Sequence, residues 1–182
     1  MVSSNRTFSI SKLKNNVKII DSFISYGEET LLILTSIGRI LKFDISNKYI
    51  PPNTKQSQGL VLAKYLPTEK IVSCCKVKDE EKIYLISRKG KIFSVDYKKI
   101  YYARNRNLGF LNERSQLKND YFIKMLPSNK YLDIETNKNK SARLNIDNLN
   151  LKTNKDIFSI NFLTLEKDEY IENCFSHENL FN

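Results

Sequence analysis

LLILTSIGRILKF, Leu31 to Phe43, decides how this chain folds. An aliphatic run enters the turn Thr35-Ser36-Ile37-Gly38, and a second apolar run leaves it, broken only by Arg39 and Lys42. Short aliphatic runs on both sides of a polar turn mark a β-hairpin, and its tip needs a residue that tolerates positive φ. The phrase returns as YLISRKGKIFSV, Tyr84 to Val95, and again as IETNKNKSARL, Ile134 to Leu144. Gly38 and Gly90 occupy one turn position, and Asn139 takes it in the third copy. Glycine and asparagine reach φ > 0 at the least cost, so the replacement is physically sound.

Two more markers repeat with the hairpin. Ser57-Gln58-Gly59-Leu60 matches Asn107-Leu108-Gly109-Phe110, and Ile157-Phe158-Ser159-Ile160 lies near the place where the third copy has lost the glycine. Leu66, Leu117 and Leu165 each open a pattern of leucine, two variable residues, an acid, one variable residue and two apolar ones. These starts are 51 and 48 residues apart. A weaker relative begins at Leu13 and leads into Val17-Lys18-Ile19-Ile20. Each unit is expected to hold four strands, which in the second lie near 82–87, 91–96, 108–113 and 120–126. Ile92, Ser94 and Asp96 alternate with Phe93, Val95 and Tyr97, the period of a strand with one buried face. Four-stranded units repeating at about fifty residues define an all-β propeller or pinwheel. The expected division is a partial blade over 1–29, blades over 30–79 and 80–129, and an eroded blade with an acidic tail over 130–182. A closed propeller usually needs about four to eight blades, so an open array is expected.

Composition narrows the function. The chain has 182 residues, 41% hydrophobic and 27% charged, enough to bury a core. No apolar stretch nears the roughly 20 residues of a membrane helix, and MVSSNRTFSISKLKNN lacks the apolar run of a secretory signal. A cytoplasmic or organellar protein is expected. Cys74 and Cys75 are neighbours, so in a strand one should be buried and the other exposed. With no CxxC pair and one histidine, His177, neither a zinc site nor a disulfide framework is expected. The net charge of +10 is uneven: 12 basic and 8 acidic side chains over 1–81, 15 and 5 over 82–143, and 3 and 7 over 144–182. A concentrated basic excess favours a polyanionic partner and salt-sensitive association.

The ordered phrases LILTSIGRILKF, TKQSQGLVL and LPTEKIV, repeated as LISRKGKIFSV, RNRNLGFL and LKNDYFI, resemble the C-terminal β-pinwheel domain of the DNA gyrase and topoisomerase IV A subunit. The resemblance covers roughly residues 10–175. The box rich in glutamine, arginine and glycine that marks gyrase wrapping domains is absent, and TKQSQGL stands near its place. The resemblance implies sequence-independent binding and bending of duplex DNA beside a topoisomerase catalytic core and B subunit. It implies no catalytic residue and no cofactor in this chain. The Mg²⁺-dependent cleavage and ATP hydrolysis of such an enzyme belong to its other parts, and no P-loop occurs here.

Within that resemblance, DNA-contacting cations are expected just after the hairpin turns and on the long connections. They are Arg39, Lys42 and Lys55 in the first blade; Arg88, Lys89, Lys91, Lys98, Lys99, Arg104 and Arg106 in the second; and Lys138, Lys140 and Arg143 in the third. The sharpest patch is YKKIYYARNRN, Tyr97 to Asn107, which mixes four basic residues with three tyrosines and has no acid. Two readings of it stand: phosphate contact, or Tyr101 and Tyr102 packed on a neighbouring blade while the cations are solvated. Glu69, Asp120 and Asp168 recur at the repeat period, which points to turn chemistry rather than an acid/base pair. Two other functions fit the repeat: a protein-interaction propeller, or a non-catalytic fragment of a split gene. A WD-type propeller is disfavoured because the chain has no tryptophan.

Overall fold

The computed structural model describes residues 16–46, 48, 50–53, 59–62, 66–77, 82–103, 109–111, 117–127, 130–145, 159–161 and 164–178. These form β1 (Thr30–Thr35), β2 (Arg39–Asp44), β3 (Ile71–Val77), β4 (Lys82–Ser87), β5 (Lys91–Asp96), β6 (Phe110–Leu111), β7 (Phe122–Pro127), β8 (Lys130–Thr136), β9 (Ser141–Asn145), β10 (Ser159–Asn161) and β11 (Ile171–Glu178). The only helical element among them is a 3₁₀ turn at Tyr97–Lys99. The three expected hairpins are β1–β2, β4–β5 and β8–β9, all antiparallel. Gly38, Gly90 and Asn139 sit in the turns with φ of 92°, 76° and 59°, as the spacing predicts.

The strands assemble into three small sheets, β3-β1-β2-β6, β10-β5-β4-β7 and β11-β8-β9. Each hairpin is flanked on one side by the strand that follows the leucine marker. The other flank is not local. β6, expected inside the second blade, instead pairs with β2 of the first, with Arg39 opposite Leu111 and Ile40 opposite Phe110. β10 in turn pairs with β5, with Ile92 opposite Ile160. Each of the first two blades is therefore completed by a strand from the next repeat. A single hairpin exposes backbone donors and acceptors along its edges, and this exchange satisfies one such edge. The third sheet has three strands among the described residues, one fewer than expected. Residues 16–29, assigned above to a partial first blade, contain no strand, and Leu13 lies outside the described residues.

Adjacent blades share cores. Leu32, Leu34 and Ile40 of the first pack with Ile83, Leu85, Phe93, Phe122 and Met125 of the second. Tyr84, Ile86, Ile92 and Leu126 of the second pack with Leu132, Ile134 and Ile171 of the third. Strand β4 thus sends alternate residues into two different cores, and β5 does the same through Phe93 and Ile92. The one-faced alternation expected for 91–96 gives way because the middle blade is covered on both sides. Phe93 meets Phe122 edge-on, with ring centroids 5.3 Å apart, inside the first core.

The second marker glycine is explained at Gly109. It holds φ 74°, and a Cβ there would lie 2.6 Å from the Ile40 carbonyl oxygen. Gly109→Ala therefore meets both positive φ and a backbone clash at the strand exchange. Strain of this kind costs on the order of 1–3 kcal/mol, and the midpoint of urea unfolding should fall accordingly.

Candidate nucleic-acid interface

The three hairpin turns are fixed by the same set of bonds. Ser36, Arg88 and Asn137 stand in equivalent positions. Their amides donate to the carbonyls of Lys70, Tyr121 and Tyr170, at 2.8, 2.9 and 3.1 Å. The carbonyl of Ser36 accepts from the amide of Phe122 in the next blade, and that of Arg88 accepts from Ile171, each at 2.9 Å. The first two turns are thus stitched both to their own blade and to the next. This register places Glu169, rather than Asp168, opposite Glu69 and Asp120. Asp168 takes the left-handed position of Asn119, with φ of 62° against 54°.

The recurring acid is a structural latch. Glu69 accepts from Arg39 Nε at 3.0 and 3.2 Å with both side chains buried. The amides of Lys89 and Tyr121 donate to Asp120 Oδ1 at 3.1 and 2.8 Å. Glu169 accepts from the Thr136 hydroxyl at 2.8 Å, from the amide of Glu166 at 2.9 Å and from Lys140 Nζ at 3.3 Å. In each case a carboxylate holds the turn that begins the hairpin, in keeping with the turn chemistry expected above.

The expected DNA-contacting cations separate into distinct groups. Arg39 is buried against Glu69, and Lys42 is 5% exposed with its ammonium 3.6 Å from the Tyr97 ring and 4.5 Å from the Tyr102 ring. Both charges are turned inward, away from any rim. In the third blade, Lys138 bonds Glu166 at 3.0 Å, Lys140 bonds Glu166 at 2.6 Å, and Arg143 grips Asp133 with two bonds of 2.6 and 2.7 Å. These cations are neutralised locally. The second blade differs. Lys89 and Lys98 are exposed and have no carboxylate within ion-pair distance among the described residues, and Lys99 is exposed as well. Lys91 is half-buried beside the turn. Arg88 lies between two aromatic rings, 3.6 Å from Tyr170 and 5.3 Å from Tyr121. Lys55, Arg104 and Arg106 lie outside the described residues.

Arg88 and Lys89 stand at the start of β5, while Lys98 and Lys99 follow its end. Six residues at about 3.3 Å each separate the two groups by roughly 20 Å. Two exposed cations that sequence reasoning missed are Lys70, beside the first-blade turn, and Lys118, beside the turn that holds Lys89; the leucine marker that contains them is the signal that points there. Of the patch's tyrosines Tyr97 is buried, Tyr102 half-buried and Tyr101 54% exposed, yet each is tied by a contact. The Tyr97 hydroxyl bonds Thr30 Oγ1 at 3.0 Å, and that of Tyr101 donates to the Gly109 carbonyl at 2.8 Å. Tyr102 bridges Lys42 on β2. They bind the long connection to the first blade and leave the outward-facing lysines to solvent.

Other groups read as structural. A cleft of about 570 Å³ between the second and third blades is lined by Arg88, Asp120, Tyr121, Glu166, Glu169 and Tyr170, residues of the turn latches themselves. Cys74, Cys75 and Cys174 are free and all half-buried, contrary to the expectation of one buried and one exposed neighbour. β3 is partly covered on both faces: Cys75 packs on the first core, and Cys74 on the opposite face is half-buried, which pushes its thiol up to about 11. No cluster of metal-ligating side chains occurs among the described residues. No helix among them is long and apolar enough to cross a membrane.

Stacked antiparallel blades that exchange a strand have the architecture of a β-pinwheel. No protein-family model and no curated protein matches the chain. Solved structures share the fold: the C-terminal domain of DNA topoisomerase IV superposes with a TM-score of 0.76 at 15% identity, over 93% of this chain and 53% of that one. The DNA gyrase A C-terminal domain gives 0.54 at 24% identity, over 66% and 39%. The E. coli ParC C-terminal domain gives 0.55 at 16%, over 84% and 63%. The chain thus has the fold of these topoisomerase domains and spans less than two thirds of the length of each.

Removing Glu69 would leave Arg39 as a buried unpaired charge. Glu69→Ala is expected to lower stability by about 3–5 kcal/mol in chemical denaturation. The third-blade pairs set an acid limit. Hydrogen bonds from Lys140, then Lys138, hold the Glu166 carboxyl at about 2, below its ordinary 4.5. A lowered carboxylate stabilises the fold above its unfolded value and ceases to do so as pH falls through the folded one. Thermal stability should therefore decline between pH 4.5 and 2, and Glu166→Gln should flatten that decline.

Proposed function

We propose that this chain is a duplex-DNA-binding module of a type IIA topoisomerase A subunit, of the gyrase or topoisomerase IV kind, which grips the phosphate backbone without reading sequence. The observation that carries the proposal is the second blade: it places exposed cations at both ends of one strand, and two of them, Lys89 and Lys98, have no carboxylate within ion-pair distance among the described residues. The segment from 82 to 143 that contains it has 15 basic and 5 acidic residues. Duplex DNA presents one charge per about 1.7 Å of axis, so a blade some 20 Å long meets several phosphates at once.

On this reading the module positions and bends DNA for a catalytic core and a B subunit that supply the Mg²⁺- and ATP-dependent steps, and it performs no chemistry itself. It acts where the DNA is, in the cytoplasm or an organelle. Bending costs on the order of 1–6 kcal/mol over 20–30 base pairs. One basic blade, with its neighbours turned inward or neutralised, supports a short bend rather than an extended wrap.

Binding to a duplex of about 40 base pairs should weaken steeply with salt and equally for unrelated sequences. Each phosphate contact contributes about 0.9 to the log–log slope, so neutralising Lys89, Lys98 and Lys99 together should reduce it by about 2 to 3. Neutralising Arg39 and Lys42 should instead affect folding. A folded protein that does not bind at low salt would overturn the proposal and favour a protein-interaction pinwheel.

A further inference from the structure

The cation that follows each hairpin turn meets its acid differently in the three blades. Arg39, Lys91 and Lys140 stand in equivalent places, directly after Gly38, Gly90 and Asn139. Glu69 holds Arg39 Nε at 3.0 and 3.2 Å, and Glu169 holds Lys140 Nζ at 3.3 Å. The second-blade acid, Asp120, is shorter by one methylene, about 1.5 Å of reach. That difference carries a contact of 3.3 Å beyond hydrogen-bonding range. Asp120 instead turns Oδ1 to the amides of Lys89 and Tyr121, while its Oδ2 is buried and accepts no hydrogen bond from the described residues. Lys91 is half-buried and has no carboxylate within ion-pair distance among the described residues. Two more cations stand on the same turn. Lys89 is exposed, and Arg88 is clamped between the Tyr170 and Tyr121 rings, with no ion pair to a described carboxylate. Of the acids across the cleft, Glu166 is bound by Lys138 and Lys140, and Glu169 by Thr136 and Lys140; Asp168, exposed, also lines it.

We propose that Asp120 makes the second hairpin turn a seat for one backbone phosphate: the short acid stays on the backbone amides, leaves Lys91 uncaptured, and so lets Lys91 join Lys89 and Arg88 on the anion. The proposal rests on the DNA-binding reading and adds the residue that selects which blade binds. A glutamate at this position closes the seat, since it takes the cation after the turn, as Glu69 and Glu169 do. An aspartate opens it. The chemistry of the three cations suits a phosphate. A guanidinium offers planar paired donors to two phosphate oxygens, and a lysine ammonium adds a compact charge on a flexible stem. Half-burial of Lys91 agrees with this role, because a lysine stem lies along apolar surface while its ammonium stays in water. The two tyrosine rings already hold the Arg88 guanidinium, so little of its order remains to be imposed by the ligand.

Asp120→Glu restores the missing methylene and should capture Lys91. Acylation of Lys91 by a water-soluble amine-reactive ester, read by mass spectrometry, should then slow by about threefold, the effect of one surface ion pair, while Lys89 reacts as before. Asp120→Glu and Lys91→Met should each lower the log–log salt slope of duplex binding by about 0.9, one phosphate contact. The double variant should lose no more than either alone, because both remove the same contact. Lys91→Met leaves the acid untouched, so the seat is tested even where the longer acid unfolds the turn. Unchanged acylation of Lys91 in folded Asp120→Glu protein overturns the role of Asp120. An unchanged slope in Lys91→Met, in a chain that binds duplex DNA and loses slope when Lys98 and Lys99 are neutralised, overturns the seat alone. A wild-type chain that binds no duplex at low salt overturns the DNA reading, and the seat with it.

Discussion

An unpaired strand edge governs this fold. Each hairpin would present a row of backbone donors and acceptors on its outer strand, and in the first two blades the strand that meets them comes from outside the repeat. The next repeat supplies the strand. In consequence blades are not independent units, apolar residues must cover both faces of the middle blade, and a glycine is needed where the incoming strand presses against the Ile40 carbonyl. The hairpin turn that donates to its own blade and accepts from the next fixes the spacing of the array.

Much of this was legible from residues. The turn glycines and Asn139 located the hairpins, and the leucine marker located the strands β3, β7 and β11. What the pattern could not give is pairing. A period of two and a bounding turn identify a strand, but the choice of neighbour across some seventy positions is made by packing, so Phe110 read as part of the second blade. The third-blade acid was misplaced by one residue because Leu165 and the strand it precedes are one position farther apart than in the other copies. Ile171, where that strand starts, sets the true register and selects Glu169.

The basic candidates show the same division. Arg39 and Lys42 sit on a strand whose neighbours are aliphatic, and counting charge alone reads them as surface cations. Each has an internal partner: Glu69 for one, two tyrosine faces for the other. The guanidinium of Arg39 can fill a buried ion pair with Glu69, whereas the exposed ammonium of Lys140 shares its acids Glu166 and Glu169 with solvent. Lys89, Lys98 and Lys99 in the second blade remain exposed, so the electrostatic character of the array rests on its central unit even though the sequence spreads basic residues over all three.

The strand exchange also sets an order of assembly. Ile40 and its partner Phe110 are 70 positions apart, and Ile92 and Ile160 are 68 apart. On a ribosome the first hairpin emerges long before the strand that completes it, and the second blade is half synthesised when that strand appears. Each blade must therefore wait, partly formed, for its successor. A nascent chain of this design matures from its N-terminus one blade in arrears, with the newest edge always open until the next repeat is made.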